Sequence, residues 1–297
     1  QYVALHNPGS HVRKGLVNVF ATVPYQDPYW EGNFEEIKRI LNGLGLEVNI
    51  LFGQRSGGVE EWKTIPDAEL NLVVNAWVGV DIAEHLKSRY CTPYLHFPYL
   101  PIGGIETTSF LKQVIEAVDF TGEQKAKALR FIETEEEIYY SFIERMACFM
   151  LEFRYGIPRR FYSLLDASYS LGFSKFLLNE LGILPAHQYI IDNTPEVFQD
   201  AIREQFARIS DLRSAEVSFE TDAGKIQSEI AAADISGRKL ILGSGWERDL
   251  AKKINADLLP VSVPISYRLL LNCGYAGYKG GLRVIEDLFD RVLDTYR

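Results

Sequence analysis

The sequence predicts an α/β protein with two doubly wound parallel-sheet domains joined by a long helical connector. Short apolar runs of strand length alternate with amphipathic helical segments along most of the chain. This alternation occurs twice, on either side of one long helical stretch, and the 297 residues are enough for two domains. Strands that alternate with helices form parallel sheets through right-handed crossovers.

The first predicted domain covers residues 1–120. Its expected strands lie at residues 17–23, 47–52, 70–75 and 93–97, and its expected helices at residues 33–44, 59–64, 80–90 and 106–118. Asn33 is the expected N-cap of its helix, with Glu36 three residues later, and Gly45 is the expected C-cap glycine. The continuous apolar run at residues 70–75 is typical of a strand that is covered on both faces.

The predicted connector covers residues 121–157 and is helical over residues 123–155. It contains an acidic run at residues 133–137 and an apolar run at residues 142–153. Acidic residues at helical spacing favour a solvated helix face over a set of catalytic carboxylates.

The second predicted domain covers residues 158–297. Its expected strands lie at residues 160–165, 188–191, 215–219, 239–242 and 258–261, and its expected helices at residues 170–181, 195–209, 223–233, 247–254 and 280–295. The element order resembles that of the first domain, so we expect two Rossmann-like domains. Ligands of such sheets bind outside the carboxyl ends of the strands, which predicts a binding cleft between the two domains.

Charge and composition narrow the classes of function. The formal net charge of −9 argues against a nucleic-acid partner, because a phosphate backbone would be repelled. No apolar run approaches the roughly 20 residues of a membrane span, and no signal peptide is visible, which predicts a cytoplasmic protein without a membrane partner. The three cysteines (Cys91, Cys148 and Cys273) are scattered, cannot close a four-thiolate site, and are expected to be buried and reduced.

The candidate binding residues all follow predicted strands. Neither glycine-rich turn, at residues 53–58 and at residues 243–245, matches a dinucleotide fingerprint or a P-loop. Each is either a tight turn or a set of backbone N–H groups that face a bound anion. The residues expected to line the cleft and contact a cofactor are Gln54, Arg55, Asn75, Trp77, His96, Ser168, Ser244, Trp246, Asn272 and Tyr275. No catalytic residue and no metal ligand is assigned.

Four segments carry a resemblance to a known family. They are YQDPYWEGNFEEIKRILNGLG at residues 25–45, DAELNLVV at residues 67–74, TPYLHFPYLPIGGIETTSFLKQV at residues 92–114 and PISYRLLLNCGYAGYKGGLRVIEDL at residues 264–288. In this order and spacing they resemble the nitrogenase component 1 family. That family includes molybdenum–iron protein subunits, cofactor-scaffold homologues and dark-operative protochlorophyllide reductase.

The resemblance implies three Rossmann-like domains, of which the N-terminal one supplies cysteines for an iron–sulfur cluster. Residues 7–12 (NPGSHV) resemble the segment just after those cysteines, so we expect the cysteines to lie outside the 297 residues. We favour a trimmed piece over a natural short form. No cofactor is assigned to the chain itself.

The resemblance also locates the two ligands of the active-site cofactor in the catalytic molybdenum–iron subunit. The Cys would fall at or next to Asn75 and Ala76, and the His at Ala276, just before GYKG. Neither ligand is present, and Cys273 lies in a variable region. This departure argues against a cofactor-holding subunit and leaves a beta-type subunit, a scaffold-type homologue or an uncharacterised relative.

Two functions remain open. In the first, the protein is an oxidoreductase subunit that takes electrons from an ATP-dependent iron–sulfur reductase and pairs with a homologous component 1 subunit, as a hetero- or homo-oligomer. In the second, it is a non-catalytic scaffold or binding module for a metal cluster or a tetrapyrrole, and tight binding without turnover would identify it. An NAD-dependent enzyme is disfavoured because the glycine fingerprint is missing.

Overall fold

The computed structural model describes residues 2–7, 11–51, 53, 56–153, 156–233, 235–266 and 268–294. The chain folds into two compact units. The first unit comprises Gln1–Tyr25, Tyr29–Tyr140 and Asn272–Gly280, and the second comprises Gln26–Pro28, Ser141–Leu271 and Gly281–Arg297. The domain boundaries drawn from the sequence at residues 120 and 157 stay predictions.

The first unit contains a four-stranded parallel sheet. Its strands are β1 (Arg13–Phe20), β2 (Glu47–Ile50), β3 (Ala68–Val74) and β4 (Tyr94–Phe97), in the order β2–β1–β3–β4. The helices of this unit are α1 (Tyr2–His6), α2 (Trp30–Gly43), α3 (Val59–Trp62), α4 (Val80–Tyr90) and α5 (Gly103–Ala117). The strand order reverses between β1 and β3, which is the topological switch point where such sheets bind ligands.

The second unit contains a five-stranded parallel sheet. Its strands are β5 (Arg160–Leu165), β6 (Leu184–Ile190), β7 (Val217–Phe219), β8 (Lys239–Gly243) and β9 (Ala256–Pro260), in the order β7–β6–β5–β8–β9. The helices that lie between these strands in the chain are α7 (Ala167–Asn179), α8 (Glu196–Ala207), α9 (Ala223–Ala232) and α10 (Arg248–Lys253). The switch point of this sheet lies between β5 and β8. The predicted fold class, two doubly wound parallel sheets with a long helix between them in the chain, is confirmed.

Two helices contribute residues to both units. They are α6 (Gly122–Phe153), which contains most of the predicted connector, and α11 (Gly277–Asp294), which was expected to begin three residues later. The predicted helix ends at residues 154, 155 and 295 lie outside the described residues. In the part of the chain that the structure describes, no helix combines the length and apolarity that crossing a membrane requires.

A row of three asparagines crosses the first sheet. Asn18 of β1 is in register with Asn49 of β2 and with Asn71 of β3, and all three are buried. Asn49 Nδ2 donates to Asn18 Oδ1 at 2.9 Å, and Asn18 Nδ2 donates to Asn71 Oδ1 at 2.8 Å. A slip of one residue would move these amides to the other face of the sheet, so the row favours a single register.

Asn33 does not cap α2, as was expected from the sequence. The helix begins earlier, at Trp30, and Asn33 lies fully buried in its first turns. Its side chain binds backbone groups more than 240 positions away, at Tyr275 and Ala276, which a local pattern cannot reveal. The expected role of Gly45 is confirmed, since it follows α2 with a φ of 91°.

The acidic run and the cysteines also differ from expectation. Glu135 pairs with Arg39 and Glu136 accepts a hydrogen bond from Thr108, so only part of the run at residues 133–137 is a solvated face. Cys91 and Cys148 are exposed and Cys273 is half-buried, whereas burial was expected. Cys91 ends α4 at the surface, and Cys148 lies in a part of α6 that has no buried residue.

Candidate functional site

The switch point of the first sheet is bridged by Asn75, which directly follows β3. Its Nδ2 donates to the carbonyl oxygen of Ala21 at 2.9 Å, and its Oδ1 accepts from the backbone N–H groups of Trp77 at 3.2 Å and Val78 at 3.0 Å. His96 of β4 donates from Nε2 to the Asn75 carbonyl oxygen at 2.8 Å. The structure therefore brings together three of the predicted residues (Asn75, Trp77 and His96) at one edge of the sheet.

A segment from near the C-terminus completes this unit; we call residues 272–280 the strap. Asn33 Oδ1 accepts from the backbone N–H groups of Tyr275 at 2.7 Å and Ala276 at 2.9 Å. The fully buried Tyr275 donates from its hydroxyl to the Tyr29 hydroxyl at 3.2 Å, and the two ring centroids are 4.4 Å apart. Side-chain and backbone contacts thus hold the strap against α2.

The strap and α2 approach each other at glycines. A Cβ on Gly32 would collide with the backbone of Cys273, and a Cβ on Gly274 would lie 2.5 Å from the backbone nitrogen of Asn33. Gly277 has a φ of 76°, and its N–H donates to the Pro101 carbonyl oxygen at 2.7 Å. These contacts give a physical reason for the glycines of the CGYAGYKG run.

The two positions where the resemblance would locate cofactor ligands do not fit such a role. Ala276 and Ala76 have no donor atom, and both polar atoms of the Asn75 side chain are already engaged. Within the described residues, no three or more His, Cys, Asp or Glu side chains are grouped so that they could hold a metal ion. The described residues therefore do not fit either a nitrogenase-type cofactor or an iron–sulfur cluster.

At the edge of the second sheet, Ser244 forms a tight turn. Its Oγ donates to Glu247 Oε2 at 2.8 Å and accepts from the Trp246 N–H at 3.1 Å. The Ser244 N–H also donates to Glu247, at 2.7 Å, and the Gly245 N–H donates to the Pro264 carbonyl oxygen at 2.8 Å. All three N–H groups have protein acceptors, so the geometry of residues 243–245 fits the tight-turn interpretation better than the anion-binding one.

The same edge contains a carboxyl group with a perturbed pKa. Asp166 follows β5 and caps α7 by accepting from the Tyr169 N–H at 3.0 Å. Burial raises the pKa of Asp166 to about 7, and the nearby charges of Asp192 and Asp27 add to this effect. Hydrogen bonds from the backbone of Tyr169 and Ser168 oppose it. Near neutral pH this group can both hold and release a proton.

Two further carboxylates accompany Asp166. Asp192 follows β6 and accepts from the N–H groups of Ala167 at 3.2 Å and Thr194 at 3.1 Å. Asp27, which belongs to the second unit, accepts from the Tyr169 hydroxyl at 2.9 Å and 2.8 Å. We call Asp27, Asp166 and Asp192 the carboxylate cluster.

The sequence analysis did not identify the carboxylate cluster. A signal was available, because Asp166 and Asp192 each follow a predicted strand, and the carboxyl ends of neighbouring parallel strands meet at one edge. Asp27 gave no such signal, since its neighbours in space are distant in the chain.

The remaining predicted residues are dispersed. Ser168 is buried and Tyr275 lies inside the first unit, whereas Asn272 is exposed and the Trp246 side chain is 69% exposed. Gln54 and Arg55 lie outside the described residues. The shared cleft and the binding roles of all ten residues stay predictions.

Comparisons with known proteins cover almost the whole chain. The model of the family "Nitrogenase component 1 type Oxidoreductase" matches residues 3–293. The B subunit of the light-independent protochlorophyllide reductase from Trichormus variabilis is 26% identical over 259 residues, which are 85% of this chain and 47% of that protein. The same protein from Leptolyngbya boryana is 24% identical over 260 residues, 86% of this chain and 47% of that protein. The chain spans about half the length of these curated relatives.

A solved structure described as "Nitrogenase Cp1 at pH 6.5" covers 99% of this chain with a TM-score of 0.71, and the match spans 65% of that chain. The sequence identity is 18%, so this likeness concerns the fold alone. The match to the family model extends over both units and includes the strap. The chain therefore belongs to the nitrogenase component 1 type oxidoreductase family.

Proposed function

We propose that the chain is part of a reductase subunit that takes electrons from an ATP-dependent iron–sulfur reductase and works with a homologous component 1 subunit. The observation that carries this proposal is the family match over residues 3–293, which includes both parallel-sheet units. The curated relatives from Trichormus and Leptolyngbya are B subunits of a reductase, which supports a beta-type subunit over a scaffold.

In this proposal the redox centre lies outside the described residues. The three cysteines are scattered, and no group of metal-ligating side chains exists in the described ranges. Asn75 and Ala276 stand where cofactor ligands would be needed, so we assign this chain no active-site metal cofactor. The chemistry that an iron–sulfur cluster would supply is electron transfer, and the role of these residues is to bind and orient.

The edge of the second sheet suits a reduction that adds hydrogen, because such a reaction consumes protons as well as electrons. Asp166 can hold a proton near neutral pH, and the Tyr169 hydroxyl donates to Asp27 in the same cluster. General acids work best when their pKa is close to the working pH. We assign the carboxylate cluster a role in supplying protons.

Several exposed apolar side chains of the same unit suit an apolar substrate. Trp246 is 69% exposed in the turn after β8, and Val263 is 54% exposed in the loop after β9. The hydrogen bond from the Gly245 N–H to the Pro264 carbonyl oxygen joins this turn to this loop. Leu269 and Leu271, further along this loop, are 80% and 73% exposed. The names of the relatives point to a tetrapyrrole, and exposed apolar side chains of this kind suit contact with such a planar, apolar ring system.

The proposal is tested by the iron–sulfur content of the product of the whole gene, purified without oxygen. We expect an iron–sulfur absorption band in that protein and none in residues 1–297 reconstituted with iron and sulfide. A whole-gene product without iron, and without cysteines beyond Cys91, Cys148 and Cys273, would contradict the proposal. Tight tetrapyrrole binding without reduction in the presence of the reductase would instead favour a binding module.

A further inference from the structure

His187 of β6 lies between a serine and a glutamate of the second unit. Its Nε2 atom is 2.7 Å from the Ser218 hydroxyl oxygen, and its Nδ1 atom is 3.3 Å from Glu216 Oε2. A serine, a histidine and a carboxylate joined in this order perform nucleophilic catalysis in hydrolases of several unrelated folds. We call Ser218, His187 and Glu216 the relay.

The register of the second sheet brings the relay together. β6 and β7 pair in parallel, with Tyr189 opposite Ser218, so His187 and Glu216 face each other two residues earlier. Because side chains alternate between the two faces of a strand, Glu216 and Ser218 lie on the same face. His187 is 29 and 31 positions away from them in the chain, which is why no local sequence pattern indicates the relay.

The partners of His187 determine which of its ring nitrogens carries the proton. An ionised carboxylate can only accept hydrogen bonds, so the neutral ring carries its proton on Nδ1 and donates it to Glu216. Nε2 is then an acceptor, and the Ser218 hydroxyl donates to it. In this tautomer the ring can remove the hydroxyl proton as a general base.

The His187 ring is held in place and is still open to solvent. It packs at a centroid distance of 4.7 Å against the ring of Tyr189, which is buried and donates from its hydroxyl to Glu229 at 3.1 Å. The His187 side chain is 30% exposed, and Ser218 is half-buried. The relay therefore combines a fixed geometry with access for a small molecule.

The outer edge of β7 supplies a donor for a developing negative charge. β7 is an edge strand, and in the described part of the chain no strand pairs with its outer side. The N–H of Glu220, directly after β7, donates to the Ile190 carbonyl oxygen of β6. Since alternate residues of a strand direct their backbone groups to opposite sides, the N–H of Phe219 points to the open edge. A backbone N–H directly after the nucleophile can stabilise an oxyanion.

We propose that the relay is the catalytic group of a serine esterase that acts on small carboxylic esters. Ser218 Oγ adds to the ester carbonyl carbon while His187 Nε2 takes the hydroxyl proton, and this proton passes to the leaving alcohol as the ester C–O bond breaks. Water then adds to the acyl-serine and gives a proton to His187, and Ser218 recovers that proton as it leaves. Both halves of the reaction balance without an oxidant or a reductant.

The inference uses residues of the second unit only and does not rest on the proposed electron transfer. It is tested by treating residues 1–297 with a short-chain alkyl fluorophosphonate, which phosphonylates activated serines with loss of fluoride. We expect mass spectrometry to find the phosphonyl group on Ser218, and Ser218→Ala to abolish this label. His187→Ala should slow the labelling at least about a hundredfold, because a general base contributes at least this much.

Two matched controls separate the relay from ordinary surface groups. His85 is an exposed histidine of α4, and Ser228 is an exposed serine of α9 whose hydroxyl donates to the Gly224 carbonyl oxygen of its own helix. His85→Ala and Ser228→Ala should leave the labelling rate unchanged. With p-nitrophenyl acetate followed by an acid quench, we expect an acetyl group on Ser218 in both controls.

Glu216 acts on the substrate only through His187 and is a positioning residue. Its side chain is 88% exposed, so its attraction for the ring that gains a proton is modest, and Glu216→Gln should slow the labelling about twofold to fivefold. In about 1 M NaCl the unaltered chain should slow toward the rate of this variant, because salt screens the attraction between exposed charges. The variant itself should not respond to salt.

A folded chain that takes up no label on Ser218 would overturn the inference. So would equal labelling of Ser218 in the unaltered chain and in His187→Ala, since the hydroxyl would then react without its base. His187→Gln repeats this test with a side chain that keeps a polar group near Ser218 but cannot take its proton, in case the alanine variant does not fold.

Discussion

Replacing Asp166 by Asn tests whether a proton is held in the carboxylate cluster. In the folded chain, burial and the charges of Asp192 and Asp27 raise the pKa of Asp166 from its ordinary 3.8 to about 7. At about 1.4 kcal/mol for each pH unit, this difference sets a ceiling of roughly 4 kcal/mol on the cost of ionising Asp166 in the folded state. The Asp166 side chain keeps some solvent contact, so we expect Asp166→Asn to recover about 1–3 kcal/mol of this cost.

The sign of the pH dependence follows from proton binding. Between pH 3.8 and about 7 the folded state holds the Asp166 proton more tightly than the unfolded state. The contribution of Asp166 to the free energy of unfolding therefore falls as the pH rises through this window, and the full cost applies above pH 7. Asn keeps an acceptor for the Tyr169 N–H and carries no charge. The variant should gain most above pH 7 and least near pH 4.

Urea unfolding of both proteins at several pH values between 4 and 8.5 measures this difference. Asp222 provides the matched control: it caps α9 by accepting from the Lys225 N–H at 3.0 Å, as Asp166 caps α7, but its side chain is exposed. Asp222→Asn should change the free energy of unfolding by less than about 0.5 kcal/mol at every pH, because Asp and Asn cap helices similarly well. If Asp166→Asn destabilises the protein above pH 7, or if its effect does not depend on pH, the reasoning about the cluster is refuted.

Three further changes test the packing of the units. Asn33→Ala leaves two buried N–H groups of the strap without an acceptor and should cost about 2–4 kcal/mol in urea unfolding, with faster amide exchange in the strap; an unchanged exchange rate would contradict the role of Asn33 as their acceptor. Gly32→Ala forces a Cβ into the strap backbone and should lower the melting temperature by several degrees. Gly122→Ala is the control and should leave the melting temperature unchanged, because its added Cβ meets nothing within 4 Å. Equal melting temperatures of the two variants would contradict the close approach of α2 and the strap. Asp287→Ala removes the carboxylate that Arg268 contacts with two hydrogen bonds, at 2.7 Å and 2.9 Å. It should lower the free energy of unfolding by about 2–4 kcal/mol and speed proteolysis of residues 262–271. An unchanged cleavage rate would show that this ion pair does not anchor the loop.

Much of the fold could be predicted because its signals are local. The helix Val80–Tyr90 and the strand Arg160–Leu165 have the predicted bounds, since each is a clear periodic pattern between turn residues. Other bounds differ by a few residues. For example, β1 was expected at residues 17–23 and lies at Arg13–Phe20, because β-propensity alone does not tell where pairing with β3 ends.

The site was less predictable because its contacts join distant parts of the chain. The spacing of Asn33 and Glu36 is typical of a local helix cap. Only the folded chain shows that the Asn33 side chain binds backbone groups 242 and 243 positions away. The pKa of Asp166 depends on Asp27, which is brought near by tertiary structure. The family resemblance identified parts of the site that local patterns could not. It singled out residues 264–288, which include the strap, and the positions of the two absent cofactor ligands at Asn75–Ala76 and Ala276.

The proposed function is tested most directly by electron transfer between the whole-gene product and an ATP-dependent iron–sulfur reductase from the same organism. The reductase is reduced, mixed anaerobically with the whole-gene product and its homologous partner subunit, and followed by its iron–sulfur absorption. We predict that the reductase becomes oxidised only when MgATP and the whole-gene product are both present. A reductase that stays reduced under these conditions, with a well-folded partner, would contradict the proposal that this chain belongs to an electron-accepting subunit.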